Sequence, residues 1–411
     1  QLSVGTNATL LVNGTADRGM LYSSQGQQCT FTNNGVVNFG ATAKITFTVT
    51  VVFNAVVNVG TTTSVYFATG GGTFNSVIYL GGGNALVDLN GPYTFVLGSS
   101  ITGTGLVRVS GGTVTTQGSW TFTGTMIVVG GTLACQNGFT LPATTLVVTT
   151  VGVVTFANAP GYTYVVLGIN LSGTGSVTVS GVVYVSTSVV ITSGTCTVPG
   201  TLTVVLDFWL STGTLTGSGV VSTNGTFTWQ NGTQSGTGST VVYGVLVLGG
   251  TVKTLTQRTI VNYYLGYWTS GSVACSNGAA ITSLATSVFT VNATTNVAIN
   301  QGAGLACSLN SYGDFKVVTS VSITVTIDAV VQFSGFFQVN IGTVAFIRTG
   351  TFTSVTEIAA IAVVSLSGTY TATSTAVVQG AGTWLVVSGT VTTSASYTLT
   401  GVILVTGGQV Y

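Results

Sequence analysis

The chain has very little charge and no histidine. Only 13 of its 411 residues are Asp, Glu, Lys or Arg, whereas about 25% of an ordinary soluble domain is charged. The net charge of +1 gives no electrostatic basis for nucleic-acid binding, because phosphate contacts need clustered Lys and Arg. A near-zero net charge also promotes association between copies. The composition favours a structural or surface-covering protein over an enzyme, and we expect no nucleic-acid partner.

Acidic residues are too few and too scattered for hydrolysis. Glycoside hydrolysis commonly needs two carboxylates about 5–10 Å apart. No two of the six acids lie within ten residues of each other: Asp17, Asp88, Asp207, Asp314, Asp328 and Glu357. The 20-residue spacings from Asp88 to Arg108 and from Asp328 to Arg348 predict ion pairs between adjacent turns of a repeat instead. Proton transfer is difficult without His, so we predict no catalytic residue and no enzyme activity.

Five cysteines occur, and none belongs to a Cys-x-x-Cys or Cys/His pattern. Without such a pattern a zinc site is not expected, and we predict no metal and no cofactor. Cys135, Cys275 and Cys307 each follow an apolar residue and Ala. This pattern favours a small apolar residue at one inward position of a repeat. Disulfides between stacked turns are the alternative, and they would leave at least one Cys unpaired.

Long apolar runs are absent too, although the mean hydropathy is +0.66. A membrane-spanning helix requires about 18 consecutive apolar residues, and here Thr, Ser or Gly interrupts Val and Ile every few positions. We therefore expect no membrane span. The chain begins at Gln1 without a methionine or an apolar leader, which suggests a mature product whose targeting peptide has been removed. The expected location is extracellular or the cell surface.

Thr, Gly and alternating β-branched residues are abundant in the chain. It contains 77 Thr and 58 Gly, and both Val321–Asp328 and Ile45–Val51 alternate strictly between apolar and polar residues. Strict alternation predicts half-buried strands, and Gly-Gly, Ser-Gly and Asn-Gly pairs separate the strand-like runs as turns do. No convincing amphipathic helix is present, and only four prolines interrupt backbone hydrogen bonding.

The turn sequences themselves repeat. One phrase recurs at Ile101–Gly105, Leu171–Gly175 and Leu215–Gly219, and a second at Val109–Val114, Val129–Leu133 and Leu248–Val252. Their spacings define a loose unit of about 19–24 residues, which is typical of a β-solenoid. We therefore predict an all-β fold, a single-chain parallel β-helix of about 19–20 turns, in which stacking buries the apolar face of each turn. Residues 39–411 are expected to form a continuous solenoid, and residues 1–38 atypical N-terminal turns or an assembly segment. The rival architecture, a set of β-sandwich domains, is disfavoured by the recurring Gly phrases and by the lack of a linker.

The Gly-Thr-Gly-x-Val and Gly-Gly-Thr-Val texture of these phrases resembles the right-handed parallel β-helices of bacterial surface adhesins. These include autotransporter passengers and filamentous haemagglutinins, and the texture is also similar to repetitive surface and filament proteins of many microbes. The resemblance covers nearly the whole chain. It implies display, attachment or fibre formation outside the cell, and it transfers no site residues.

Both ends of the chain are uncharged and strand-like, with Leu2 and Val4 at one end and Val405, Val410 and Tyr411 at the other. A solenoid end exposes unpaired strand edges, which recruit further strands unless charge, proline or a capping repeat blocks them. We therefore predict a non-enzymatic extracellular structural protein whose copies stack head to tail into a fibre or surface layer. Such contacts form an open polymer when no rotation closes them.

The alternative function is an adhesin stalk, or a solenoid surface that binds ice or cell-surface glycans. Outward Thr46, Thr48 and Thr50 resemble the Thr-x-Thr faces of β-solenoid antifreeze proteins, but the Thr runs keep no strict period, so we do not expect a single regular ladder. The cluster Tyr263–Trp268 forms either core or an exposed contact for carbohydrate or protein. Within it, adjacent Tyr263 and Tyr264 are expected on opposite faces.

Six Asn-x-Ser/Thr triplets occur, which is about the number that chance predicts from the composition. Three of the asparagines precede Gly and are therefore expected at exposed turns: Asn13, Asn224 and Asn231. These three are the candidate N-glycosylation sites.

Overall fold

A computed structural model describes residues 2–12, 18–20, 29–40, 44–136, 139–157 and 161–411 of the chain. These residues form strands, bends and turns without a helix. Strands pair in parallel with the equivalent strands of the next turn, and they form a β-solenoid of about 19 turns. The predicted all-β parallel fold is therefore confirmed.

The chain divides into two compact units, Gln1–Val205 and Leu206–Tyr411. The strands of the first unit are β1 Leu2–Val4, β2 Thr9–Val12, β3 Arg18–Met20, β4 Thr30–Asn33, β5 Val36–Phe39, β6 Lys44–Phe47, β7 Thr50–Phe53, β8 Val57–Val59, β9 Ser64–Phe67, β10 Gly72–Phe74, β11 Val77–Asn90, β12 Tyr93–Phe95, β13 Ser100–Gly111, β14 Thr113–Thr116, β15 Ser119–Trp120, β16 Thr123–Val128, β17 Thr132–Cys135, β18 Leu141–Val148, β19 Val153–Phe156, β20 Thr163–Leu171, β21 Ser176–Val179, β22 Val182–Val185, β23 Val189–Ile191, β24 Thr195–Thr197 and β25 Thr201–Val204.

The strands of the second unit are β26 Phe208–Leu210, β27 Thr214–Thr216, β28 Val220–Thr223, β29 Thr226–Trp229, β30 Gly232–Ser235, β31 Ser239–Val242, β32 Val245–Leu248, β33 Val252–Thr256, β34 Thr259–Asn262, β35 Leu265–Trp268, β36 Ser272–Ser276, β37 Ala280–Ser283, β38 Val288–Val291, β39 Val297–Gln301, β40 Ser308–Ser311, β41 Asp314–Val317, β42 Thr324–Ile327, β43 Val330–Phe333, β44 Phe337–Val339, β45 Gly342–Phe346, β46 Thr349–Phe352, β47 Val355–Ile358, β48 Ala362–Leu366, β49 Thr369–Ala372, β50 Val377–Gly380, β51 Thr383–Val386, β52 Gly389–Thr393, β53 Ser396–Leu399, β54 Val402–Val405 and β55 Gly408–Val410.

Within each unit the strands stack into three ladders. Ladder I of the first unit consists of β1, β4, β7, β10, β12, β14, β17, β19, β21 and β24. Its ladder II begins with β2, β5 and β8 and its ladder III with β3, β6 and β9, and the long strands β11, β13 and β20 take part in both. In the second unit ladder I runs from β27 to β54, ladder II from β28 to β55 and ladder III from β26 to β53.

Residues along each ladder strand alternate between the core and the surface. Val51 and Phe53 are fully buried, whereas Thr50 and Val52 beside them face outward and are half-exposed. The parallel register then stacks like side chains on one another. The rings of Phe53 and Phe74, for example, lie 5.3 Å apart and nearly parallel, an arrangement worth about 0.5–1.5 kcal/mol beyond the buried area.

Two strands predicted from alternation are shorter in the structure. The run Ile45–Val51 contains most of β6 and the start of β7, so its alternation continues through a corner. Within Val321–Asp328 only Thr324–Ile327 forms a strand, and Val321 is exposed. Where the backbone of a corner stays extended, side chains still alternate between inward and outward positions. Alternation in the sequence therefore does not show where the corner lies.

Turn length varies through the connections between strands. Thr113 pairs with Thr132, which is a short turn, but Leu2 pairs with Phe31 and Ala280 with Ser308. The last two turns are longer than the repeat that the sequence phrases predict. In the second of them, segment 302–307 between β39 and β40 supplies the extra length. The predicted boundary at residue 38 stays a prediction.

Candidate assembly ends and exposed faces

The C-terminal turn leaves inward-facing apolar side chains uncovered. Its strands β53, β54 and β55 each pair with one neighbour, in the preceding turn. Ile403 and Val405 are 47% and 45% exposed. Their partners one turn earlier, Trp384 and Val386, occupy the same inward positions and are fully buried. Among the described residues, no strand pairs with the other edge of β54, which accounts for the difference.

The predicted assembly residues Val405, Val410 and Tyr411 all lie in this turn. Val410 is exposed although its partner Val391 is buried, and Tyr411 is 68% exposed. The backbone N–H of Tyr411 donates to the carbonyl of Val391 at 2.9 Å, which extends the strand edge. Residues 358–411 contain no charged residue, so the strands of this turn carry none of the charges that commonly block a strand edge.

The N-terminal end presents strand edges more than apolar side chains. Leu2 begins β1, which pairs with β4, and β2 pairs with β5. Val4 is only 8% exposed, whereas Leu11 faces outward and is 59% exposed. Within the described residues, β1 and β2 each have one paired edge and one open edge.

The candidate glycosylation sites differ in accessibility. Asn224 lies at an exposed corner directly after β28. Asn231 is half-buried, and its side-chain oxygen accepts hydrogen bonds from the backbone N–H and the hydroxyl of Thr251, both at 2.8 Å. Asn13 lies outside the described residues. Glycosylation at each stays a prediction, with Asn224 the better placed of the two that are described.

Ladder I of the first unit presents two outward rows rich in hydroxyl groups. The parallel register aligns the first row, which consists of Ser3, Thr32, Val52, Thr73, Thr94, Thr115, Ala134, Thr155, Thr178 and Thr197. The second row lies two residues earlier in each strand and contains Thr30 and Thr50 and, further along, Thr113, Thr132, Val153, Ser176 and Thr195. Neither row contains a charged residue. We call these two rows the threonine face.

The register aligns hydroxyl residues over many turns of this face, but Val52, Ala134 and Val153 interrupt the rows, so the expectation that no strictly regular Thr ladder forms is not contradicted. Differences in repeat length fall in the corners, so the residues inside ladder I stay in register. Asparagine side chains reinforce the alignment, because Asn54 donates to Asn34 at 2.8 Å and Asn75 donates to Asn54 at 2.6 Å. Thr46 and Thr50, which the sequence suggested as neighbours on one face, belong to different ladders.

The aromatic cluster is divided between core and surface. Trp268 is buried, whereas Tyr263 and Tyr264 are 38% and 56% exposed. The expected opposite orientation of the two tyrosines is wrong, because both lie in the corner between β34 and β35, where the strand alternation is interrupted. Tyr263 also packs against Tyr243, with ring centroids 4.7 Å apart.

Both interpretations of the cysteines apply, to different residues. Cys275 in β36 and Cys307 directly before β40 form a disulfide. Cys135 and Cys196 are buried thiols at inward positions of ladder I, and Cys29 is a half-buried thiol. Burial raises the pKa of the Cys135 thiol well above its usual value, which keeps the thiol protonated and unreactive.

Both predicted ion pairs are confirmed. Arg108 lies 2.5 Å from Asp88, and Arg348 lies 2.6 Å from Asp328. The Asp88 carboxylate is nearly buried and also accepts a hydrogen bond from Ser110 at 2.6 Å. This hydrogen-bonded contact with Asp88 raises the pKa of Arg108. Across the described parts of the chain, His, Cys, Asp and Glu do not gather in threes as a metal site would need.

Two fully buried cations were missed by sequence reasoning. Arg258 donates hydrogen bonds to the Thr240 hydroxyl and to the Ser239 carbonyl, both at 2.8 Å. Lys253 donates to backbone carbonyl oxygens, one of them Ser270 at 3.1 Å, and burial lowers its pKa to about 8. The alternation held a signal for Lys253, because it lies two residues before the buried Leu255 and therefore on the inward face.

The part of the chain that the structure describes contains no helix long and apolar enough to cross a membrane. Comparison of the chain with known protein families, with characterised proteins and with solved structures found no significant similarity. The likeness to bacterial surface adhesins therefore stays a resemblance of sequence texture.

Proposed function

We propose that the protein is a non-enzymatic structural subunit outside the cell, and that its copies stack head to tail into a fibre or surface layer. The observation that supports this most directly is the open C-terminal turn. Inward side chains that are fully buried one turn earlier, at Trp384 and Val386, are replaced there by the half-exposed Ile403 and Val405. Covering apolar surface of this kind would stabilise a joint by about 25 cal/mol per Å² removed from water.

The N-terminal turn of a second copy supplies the missing cover. In such a joint β1 continues ladder I on β54, β2 continues ladder II on β55, and β3 continues ladder III on β53. Every new pair is parallel, like the pairs within each unit, and the unpaired backbone groups on both edges gain hydrogen bonds. The contact joins two different surfaces, so growth continues at each end.

The disulfide supports a location outside the cytoplasm. Disulfides form and persist in oxidising compartments and are rare where thiols are kept reduced. Cys275 and Cys307 are bonded, and the nearly uncharged surface suits a protein that associates with its own copies.

Electron microscopy and sedimentation of the purified chain test the proposal. We expect unbranched fibres, and we expect Ile403→Lys to abolish them because the new charge would be buried in the joint. Ile347→Lys is the matched control, since Ile347 is 41% exposed but lies between β45 and β46, away from the joint. A wild-type chain that stays monomeric at high concentration, or an Ile403→Lys chain that polymerises as well as the control, contradicts the proposal.

The threonine face favours ice binding as a second candidate function. Its two rows repeat at the strand spacing of about 4.8 Å along the ladder, and Thr side chains are stiff at χ1. Hydroxyl and methyl groups are therefore held in a regular, uncharged array that can order water. Among the described residues this array extends over ten turns, from Ser3 to Thr197.

An ice-recrystallisation assay tests this second candidate. We expect the wild type to inhibit recrystallisation and Thr94→Lys, in the centre of the first row, to lose most of that effect. Thr371→Lys is the control, because Thr371 is equally exposed on ladder II of the second unit. Equal activity in the two variants, or no inhibition by the wild type, contradicts the ice-binding function.

A further inference from the structure

One corner of the second unit, between ladders II and III, carries a run of exposed aromatic side chains. Tyr243, Tyr263 and Tyr264 are 48%, 38% and 56% exposed, and we call these three residues the tyrosine edge. The N–H groups of Tyr243 and Tyr263 each donate at 2.9 Å to a carbonyl of the preceding turn. These two residues therefore occupy equivalent positions one turn apart, and Tyr264 follows Tyr263 at the next corner position.

Beside Tyr243 and Tyr263, the next corner position lacks a side chain over two turns, and we call this stretch the slot. In four successive turns, the residue at the second position of this corner is Leu206, Gly225, Gly244 and Tyr264. A Cβ atom at Gly225 would lie 2.2 Å from the Leu206 carbonyl oxygen, and one at Gly244 would lie 2.2 Å from that of Gly225. Only glycine fits at both positions, so the floor has no side chains between Leu206 and Tyr264. Three turn spacings give a length of about 14 Å.

The groups around the slot are aromatic and polar, with one negative charge. The rings of Tyr243 and Tyr263 pack on each other at 4.7 Å and keep their outer parts in solvent. Exposed Asn224 precedes Tyr243 by one turn, and exposed Asp207 lies beside Leu206. The basic residues of this part of the sequence, Lys253 and Arg258, are fully buried.

We propose that the tyrosine edge binds an uncharged polysaccharide lying along the slot. Sugar rings have apolar C–H faces that pack on aromatic rings, and their hydroxyl groups match the Asp207 carboxylate and the Asn224 amide. An anionic ligand would be repelled by the exposed Asp207 carboxylate, because Lys253 and Arg258 are buried. A cationic ligand would meet only this one carboxylate. The charges therefore favour an uncharged ligand. The length of the slot favours an extended chain over a single sugar. The site is lateral, and it does not depend on the head-to-tail joint.

Affinity gel electrophoresis of the full chain tests the proposal, with hydroxyethyl cellulose, mixed-linkage β-glucan, mannan and dextran as probes. We expect at least one polysaccharide to retard the wild type. Tyr263→Ala should weaken that retardation about tenfold, since it removes one stacking ring. Tyr184→Ala is the matched control: Tyr184 is 39% exposed, but it lies on ladder II of the first unit.

A second variant, Tyr264→Ala, separates binding from folding, because its ring is the most exposed of the three. We expect unchanged thermal unfolding and weaker retardation. The proposal is overturned if no probe retards the protein, or if the control weakens binding as much as Tyr263→Ala. It is also overturned if sedimentation shows that Tyr263→Ala disrupts a lateral dimer, because a second copy would then occupy the edge. All variants are compared in the Ile403→Lys background, which removes the proposed head-to-tail joint, so this outcome is independent of the proposed assembly.

Discussion

Among single residues, Lys253 has the environment that differs most from what its chemistry prefers. Its ammonium group is fully buried and is held by backbone carbonyl oxygens such as that of Ser270. Nearby Arg258 is also buried, and its guanidinium donates to the Thr240 hydroxyl and to carbonyl groups. An unfolded chain would leave both groups in water, so the charged state of Lys253 opposes folding.

We predict that the wild type gains stability relative to a Lys253→Met variant as the pH rises from 7 to 10. The pKa of Lys253 falls from 10.5 to about 8 on folding, so in this window the unfolded Lys253 binds more protons than the folded one, and its contribution to stability increases with pH. The difference between wild type and variant should grow by about 2–3 kcal/mol between pH 7 and pH 10. Melting followed by circular dichroism checks it.

In the Lys253→Met control the melting temperature should fall over the same range, because burial raises the pKa of the Cys135 thiol, which then keeps a proton that the unfolded chain releases. The assay stays below pH 10, because burial also raises the pKa of Tyr93 and Tyr370. Above pH 10 these folded tyrosines hold protons that the unfolded chain releases, and stability then falls further as the pH rises. A wild-type melting temperature that falls as steeply as that of Lys253→Met between pH 8 and 10 would show that Lys253 is not buried as described.

We predict that the five cysteines fall into three reactivity classes in the native protein. Cys29 is half-buried and should be alkylated by iodoacetamide, whereas Cys135 and Cys196 are buried and should react only after unfolding. Cys275 and Cys307 should react only after reduction. Their disulfide closes a loop of 32 residues, so reduction should destabilise the native state by about 3–4 kcal/mol. Mass spectrometry of labelled peptides reads out each class, and rapid native labelling of Cys135 would contradict the described core.

At the scale of strands and corners, alternation predicts most of the fold but not where each strand ends. Half-buried strands and a short, loosely kept repeat are sufficient for a parallel solenoid, because side-chain period and turn length are both local properties. The corner inside Ile45–Val51 and the common exposure of Tyr263 and Tyr264 are set by stacking on neighbouring turns. For the same reason the sequence did not reveal the threonine face, whose rows depend on register between residues of successive turns.

The assembly ends stay a prediction. The uncharged, strand-like C-terminal segment suggested Val405 and Val410, and the structure shows only that both are exposed. The sequence did not predict that Val4 is nearly covered, nor which cysteines form the disulfide. The burial of Val4 and the pairing of the cysteines depend on contacts in three dimensions between segments that do not occupy equivalent positions in the repeat.

We predict that corner glycines are required where one turn closely approaches the next. A Cβ atom at Gly335 would lie 2.0 Å from the carbonyl oxygen of Gly313, whereas one at Gly83 would meet nothing within 4 Å. Gly335→Ala should therefore destabilise the protein by about 1–3 kcal/mol, as overpacking does, and Gly83→Ala should have little effect. Chemical denaturation of the two variants measures the difference. Equal stability would mean that the corner can move apart without cost.

At the scale of the whole molecule, cohesion comes from backbone hydrogen bonds between turns and from stacked apolar side chains. Charge contributes little, because the ion pairs Asp88–Arg108, Asp314–Lys316 and Asp328–Arg348 lie mostly at the surface. Exposed pairs are worth about 0–1 kcal/mol each. The same forces would act in a head-to-tail joint, where the last charged residue, Glu357, lies more than two turns away from β54.

We predict that melting and assembly are nearly independent of pH from about 5 to 8, and of sodium chloride up to about 1 M, where the Debye length is about 3 Å. The chain has no His, whose side chain titrates in this range, and the Lys253 transition begins only near pH 8. Turbidity, sedimentation and melting curves across this range provide the measurement. Asp328→Asn is the internal control, because the Asp328–Arg348 pair is partly exposed, and its loss should change neither property. Dissociation of fibres by moderate salt, or at pH 5, would show that the few charged groups hold the assembly together, and the apolar joint proposed for the C-terminal turn would then be wrong.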